Sequence, residues 1–261
     1  MRFGFVKVAA VVPAVKVADC KFNAQQTEKQ IVIADGKGIQ IIVFPELNLT
    51  GYSCGDLFAQ SLLLEQAELA LMQIVNNTRQ LDIISIVGMP VVVNSTLMNC
   101  AVVFQKGKIL GIVPKTYLPN YKEFYEKRWF EPAGPGDRLF SFCGQEVYLG
   151  SDVIFPCESM PGLTVGVEIC EDLWASTPPS VALAEAGLSS TCPPPTSWWA
   201  RPSTAAAWCA ASPPGWCAAM STPTPGRGSP PPTWSSTATT SWPRTAPCWP
   251  SAASPPGSPC P

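Results

Sequence analysis

Residues 21–46 read KFNAQQTEKQIVIADGKGIQIIVFPE and hold a helix, a turn and a strand in one run. Lys21 to Asp35 is helix-like, and Gly36 and Gly38 bracket the turn that follows. Ile39 to Phe44 is an apolar run with the length and composition of a strand. The alternation extends to both sides. Arg2 to Ala9 alternates and is β-branched enough for a strand, and Asp56 to Thr78 carries leucines and an isoleucine at helical spacing. Ile83 to Val93 predicts a buried strand; Met98 to Phe104 and Ile109 to Val113 predict a hairpin around Gly107. Leu163 to Ile169 is a strand ending at Cys170, and Pro179 to Ala186 begins a helix. Strands alternating with helices predict a layered α/β domain, in an order that pattern alone does not give.

The chain has 261 residues, enough to bury a sizeable core. Its 17 basic against 19 acidic residues leave a net charge of -2, without the basic footprint of a nucleic-acid or anionic-membrane binder. The start, MRFGFVKVAAVV, has two early basic residues and a short apolar run, but Lys7 and Pro13 interrupt it. No apolar stretch reaches the length of about 18 residues that spans a bilayer. A cytoplasmic protein is expected. The 11 cysteines are irregularly spaced and include no CxxC pair, and the chain has no histidine. Reduced thiols are expected, and no metal site. The lack of histidine also removes every Ser-His-Asp and Cys-His mechanism, so a nucleophile here needs another activator.

Composition changes abruptly near Gly187. The last 74 residues hold 18 of the 29 prolines and seven of the nine tryptophans, and their only charges are Arg201, Arg227 and Arg244. They contain no Ile, Val, Phe, Tyr, Asp, Glu, Lys, Asn or Gln, so they offer little for a core. A native proline-rich recognition segment is one reading, but no regular PxxP repeat occurs. Out-of-frame translation is the reading preferred. With GC-rich codons chosen for SDELVGKA, dropping one base yields TSWWARP, the string from Thr196 to Pro202. The same displacement turns the flanking residues into LVNLPAS and YRRGL. The division expected is therefore an α/β domain at 1–187, incomplete, and an irregular or disordered tail at 188–261.

Three polar residues stand at the ends of apolar strands: Glu46 in IIVFPE, Lys115 in IVPKTYLP and Cys170 in LTVGVEIC. Singly, each has an ordinary explanation as a solvated glutamate, a loop lysine or a small buried hydrophobe. Together they compose a mechanism that needs no histidine. A thiol with a pKa of about 8.5 needs a base or a nearby cation to become a nucleophile at neutral pH. A carboxylate can take its proton, and an ammonium can stabilise thiolate and oxyanion.

The blocks FPELNLTGY, PKTYLPNYKEFYEKRWF and VGVEICEDLW closely resemble, in order and separation, the three motif blocks of the nitrilase superfamily of carbon–nitrogen hydrolases. GYSCGDLF and CEDLW resemble in particular the glutaminase domain of the glutamine-dependent NAD+ synthetases. The resemblance implies an α-β-β-α sandwich that oligomerises, with Glu46 as general base, Lys115 as electrostatic stabiliser and Cys170 as the nucleophile forming a glutamyl thioester. It implies that Glu126, in FYEKRWF, is a second supporting glutamate; by itself Glu126 reads equally as a surface partner of Lys127 or Arg128. It places Tyr52 and Tyr121 at aromatic positions lining a glutamine pocket, where they otherwise read as core or rim tyrosines.

The implied activity is hydrolysis of glutamine to glutamate and ammonia, feeding conversion of deamido-NAD+ to NAD+. The glutaminase step implies no cofactor, whereas ATP and Mg2+ belong to a synthetase domain with an SGGxDS-like loop, which this sequence does not contain. The family's hydrolase domain also continues beyond residue 187, so a truncated chain, an inactive fragment that is poorly folded and has little or no glutaminase activity, is expected. The competing readings are a stand-alone amidase or carbamoylase of the same superfamily, and a non-catalytic interaction protein with a partner-binding tail.

Overall fold

The computed structural model describes residues 6–134, 136–157, 163–191 and 216–221. Most of the tail, including the stretch on which the out-of-frame reading rests, lies outside the described residues.

Helix α1 (Cys20–Gly36) lies where the periodicity predicts it. Strand β1 (Val8–Ala10) keeps only the end of the strand expected over Arg2–Ala9, Val6 and Lys7 being irregular and residues 2–5 outside the described residues. Strand β2 (Ile41–Val43) is the middle of the expected Ile39–Phe44 run. The Asp19 carboxylate caps α1, accepting the Phe22 N–H at 3.0 Å. Cys20, Ala24, Thr27, Ile31 and Ala34 recur every three or four residues and give the helix one buried face. Gly38, at φ 69°, turns the chain back into β2. Helix α2 (Ser61–Asn77) repeats the device with Leu63, Ala67, Leu71 and Ile74, and leads to β3 (Ile84–Val93). Burying each such Leu or Ile contributes about 1.5–3 kcal/mol.

The helix predicted from Asp56 is corrected here. Residues Tyr52–Ala59 form a separate 3-10 segment, because Gly55 leaves helical geometry (φ 56°, ψ -132°) and Gln60 is extended. The break lets Phe58 turn inward against Phe130, the two rings 4.9 Å apart.

Strands β3, β4 (Thr96–Gln105) and β5 (Lys108–Pro114) form an antiparallel meander, of which the β4–β5 hairpin was predicted. Both turns place two residues at positive φ, Asn94 with Ser95 and Lys106 with Gly107, the twist that two-residue hairpins favour. A third such turn, Cys143–Gly144, joins β6 (Arg138–Phe142) to β7 (Gln145–Leu149). These strands, and β8 (Ile154–Pro156), are too short and too mixed in polarity for the alternation pattern to reveal. The main sheet runs β1-β2-β3-β4-β5-β7-β6. A second sheet holds β8, β9 (Thr164–Ile169) and β10 (Trp216–Ser221), all antiparallel, with β9 central. Six tail residues are thus strand, paired with β9 along its whole length.

Side-chain alternation assigns the layers. Ile42, Phe44, Val87, Val102 and Ile112 pack with the buried faces of α1 and α2. Their neighbours Ile41, Val43, Ile86, Ala101, Val103 and Val113 point the other way and meet Val165, Val167 and Ile169 of β9. Gly111 makes room for this contact, since a Cβ there would lie 2.9 Å from the Phe155 ring. The outer face of β9 carries helix α3 (Pro179–Thr191), whose Leu183 sits over Gly166. Glu168, on the same face, accepts the Ser180 N–H at 3.0 Å, a carboxylate at a helix N-terminus. The order of layers is α-β-β-α, as the resemblance implied.

Candidate active site

Four chain segments converge at one end of the two sheets. Glu46 lies two residues past Phe44, in a loop tied to β3 by Phe44 N–H to Ile86 O and Leu49 N–H to Gly88 O. Lys115 directly follows β5 and extends its pairing, donating its N–H to Asn99 O at 2.8 Å. Glu126 opens a short 3-10 turn, Glu126–Arg128. Cys170 directly follows β9.

Glu46, Lys115 and Glu126 are each no more than 2% exposed, a burial that charged groups tolerate only when paired. Here they are paired. The Lys115 ammonium donates to Glu46 Oε1 at 2.7 Å and to Glu126 Oε1 and Oε2 at 2.7 and 2.9 Å. Burial pulls the Lys115 pKa down, but the two carboxylates outweigh it and hold the ammonium above its ordinary value. Two carboxylates against one ammonium leave an excess negative charge. Burial, then repulsion from Glu46, pushes Glu126 above the usual carboxylate range, against the pull of Lys115. Glu126 is therefore not the surface partner of Lys127 or Arg128.

Cys170 is half-buried and sits at φ 51°, a left-handed backbone state unusual for a residue with a side chain. Burial, then the negative charge of Glu46, pushes its thiol up to about 12, while Lys115 acts in the opposite direction. The resting group is a neutral thiol, and such a thiol needs a base. The Glu46 carboxylate acts on this thiol through both charge and hydrogen bonding. Its Oε1 accepts both Lys115 and Asn99 Nδ2, the latter at 2.5 Å, while its buried Oε2 has no settled partner. One oxygen is anchored and the other is available to a proton.

Tyr52 donates its hydroxyl to Glu126 Oε1 at 2.7 Å, which links it to the charged cluster. Burial, then Glu126, holds this phenol well above its ordinary pKa, so it remains a donor. Tyr121 is half exposed and donates to Glu171 Oε2 at 2.9 Å, next in sequence to Cys170. Two residues that the sequence reading did not single out belong to the site. Asn99 is fully buried in β4 and holds Glu46; an asparagine inside the apolar run LMNCAVVF was its one signal. Asp172, in CEDLW, is 1% exposed and accepts the backbone N–H groups of Thr116, Tyr117 and Ile169. Among the described residues no group of three or more His, Cys, Asp or Glu could hold a metal ion, and no helix is long and apolar enough to cross a membrane.

The arrangement can take a proton from a thiol, stabilise an oxyanion and return the proton to a leaving group, which is the chemistry of acyl transfer from an amide. Curated proteins are similar to this chain over much of its length. The Glutamine-dependent NAD(+) synthetase of Mycobacterium tuberculosis is 40% identical over 189 residues, covering 72% of this chain and 28% of that protein. Its counterpart in Rattus norvegicus is 33% identical over 179 residues, covering 65% of this chain and 24% of that one. The chain thus spans little more than a quarter of the length of these curated relatives. In fold, it matches the crystal structure of a glutamine-dependent NAD(+) synthetase from Cytophaga hutchinsonii with a TM-score of 0.55 at 24% identity, over 59% of this chain and 26% of that one. The family described as Carbon-nitrogen hydrolase matches residues 7–209, running past the compositional change at Gly187. With that match across most of its length, the chain belongs to the carbon–nitrogen hydrolase family.

Proposed function

We propose that this site hydrolyses the side-chain amide of glutamine. The observation that carries the reading is the buried Lys115 ammonium, clamped at 2.7 Å by both Glu46 and Glu126 beside a cysteine at a strand end. Glu46 takes the thiol proton as Cys170 Sγ attacks the amide carbon, and Lys115 stabilises the oxyanion. The C–N bond breaks as the proton passes to nitrogen, releasing ammonia and leaving a glutamyl thioester. Water, deprotonated by Glu46, then cleaves the thioester to glutamate and restores the thiol. Glu126 holds Lys115 in place, and Tyr52 and Tyr121 line the substrate side.

The similarity to synthetases extends the reading: the ammonia serves conversion of deamido-NAD+ to NAD+, with ATP and Mg2+ used by a synthetase domain outside this sequence. Residues 188–261 are read as an out-of-frame tail, and little or no turnover is expected of this chain, since among the described residues three strands cover only part of a seven-stranded sheet. The test is trapping with a glutamine-like electrophile, with competing amides, read by mass spectrometry. Labelling at Cys170 that glutamine suppresses supports the reading. Labelling suppressed equally by other small amides favours a general amidase, and none at Cys170 defeats the mechanism.

A further inference from the structure

Asp172 lies two residues beyond Cys170 in the same 3-10 turn, Cys170–Trp174. Its Oδ1 accepts the Thr116 N–H at 3.0 Å and the Tyr117 N–H at 2.7 Å, and its Oδ2 accepts the Ile169 N–H at 3.0 Å. Thr116 and Tyr117 immediately follow Lys115, and Ile169 immediately precedes Cys170. One buried carboxylate therefore ties the backbone just past the ammonium to the backbone just before the nucleophile. The two segments extend strands of different sheets, β5 and β9, so the tie crosses the boundary between them. It also bears on the left-handed state of Cys170, which persists only where the surroundings determine it. The contact to Ile169 reaches back to the residue before the turn, as one half of a capping box does.

We propose that Asp172 is a positioning residue of this site, holding the Cys170 turn against the end of β5 and so setting the reach between the thiol and the Lys115–Glu46 pair. The role rests on the amide-hydrolysis reading, but its geometry does not. Asp172 acts through backbone groups, so it need not touch substrate. Burial pushes its carboxyl up to about 6, opposed by the N–H donors and by Lys115, so at neutral pH it is ionised and offers only acceptors. Asparagine at this place keeps the shape but turns a donor toward an N–H.

Asp172→Asn in the full chain tests this, with iodoacetamide alkylation followed at each cysteine by mass spectrometry and ammonia release from glutamine measured in parallel. Expected are Cys170 alkylation slowed about tenfold or more, Cys143 alkylation within about twofold of its former rate, and kcat reduced about a hundredfold at a KM changed less than about threefold. A purely structural role would lower the melting temperature without this selectivity between cysteines. Cys170 alkylation and kcat within about twofold of the unsubstituted chain, at an unchanged melt, overturn the proposal. If Asp172→Asn does not fold, amide exchange in the unsubstituted chain decides: protection of Thr116 and Tyr117 by about a hundredfold supports the tie, and exchange at free-loop rates overturns it. If the unsubstituted chain turns over too slowly for kcat to be read, the alkylation ratio alone decides; absence of labelling at Cys170 by the glutamine-like electrophile defeats the amide-hydrolysis reading, while the alkylation ratio still reports on Asp172.

Discussion

The two sheets of this molecule are unequal, and their inequality divides the chemistry. The main sheet has seven strands, two helices against one face and almost every central side chain buried. It alone organises Glu46, Asn99, Lys115 and Glu126. The smaller sheet has three strands, rests on the middle of the larger one and carries Cys170. Beyond its reach the outer face of β6 and β7 is bare: Leu139 and Tyr148, directly opposite one another, are 63% and 52% exposed. Glu46 and Lys115 therefore come with one layer and Cys170 with the other. On the proposed reading, activity would depend on how firmly the layers dock, over and above the presence of each residue.

The sharpest way to isolate the smaller sheet is Cys170→Ala. Labelling by a glutamine-like electrophile and ammonia release should both vanish, while the melt moves by less than about 1 kcal/mol, since one sulfur is removed from a half-buried place. Lys115→Met strikes the other layer. It leaves two buried carboxylates without their cation and should cost about 3–5 kcal/mol in a denaturant titration, with Cys170 labelling lost as well. A cost below about 1 kcal/mol would show that water reaches the pair.

Packing substitutions probe the docking itself. Leu71→Ala, in the helix–sheet core, and Ile169→Ala, in the core between the sheets, should each cost about 2–5 kcal/mol, because both side chains are fully buried. If the layers form one cooperative unit, both variants shift the same transition. If instead Ile169→Ala abolishes Cys170 labelling and leaves the main transition in place, the smaller sheet docks as a separate unit.

A subtler effect is electrostatic. Glu46 raises the Cys170 pKa and Lys115 lowers it, so Glu46→Gln should move the midpoint of Cys170 alkylation below about 12 even as amide hydrolysis falls. The sign for stability follows from the same shift. A thiol raised from 9.0 to about 12 adds stability that is complete below pH 9 and lost as pH climbs toward 12. Glu46→Gln should narrow that alkaline window. The smallest effect belongs to the bare face: Leu139→Thr should change stability by no more than about 0.5 kcal/mol, and a markedly larger loss would mean that something covers that face in solution.

What the sequence made legible follows from where information resides in a chain. Glu46, Lys115 and Cys170 each interrupt or end an apolar run, and a polar residue at a strand end is visible without coordinates. Glu126 was not visible on those terms; only the resemblance separated it from the charges beside it. Asn99 reads as a blemish in a strand until Glu46 is placed opposite it across 53 residues of chain. Asp172 was harder still, because its partners are backbone N–H groups, which every residue except proline supplies and which leave no trace in residue type. The same reasoning covers the fold. Helix α1 and strands β3 to β5 carry full periods of hydrophobicity, and the three-residue β2 lies inside the longer apolar run Ile39–Phe44, whereas β6, β7 and β8 span three to five residues with no such run around them. The start of α2 was misjudged because Gly55 and Gln60 act through dihedral angles, not through hydrophobic spacing.

The tandem two-residue turns at Asn94–Ser95 and Lys106–Gly107 bear on time as well as shape. Strands β3, β4 and β5 meet their partners within a few residues of sequence, and such local pairings form early because little chain entropy is lost in closing them. On this argument Lys115 is expected to reach its place early, and β9, which pairs with distant segments, to dock Cys170 opposite it later. Pulse-labelling during refolding that protects β9 before the β3–β5 meander would reverse that order.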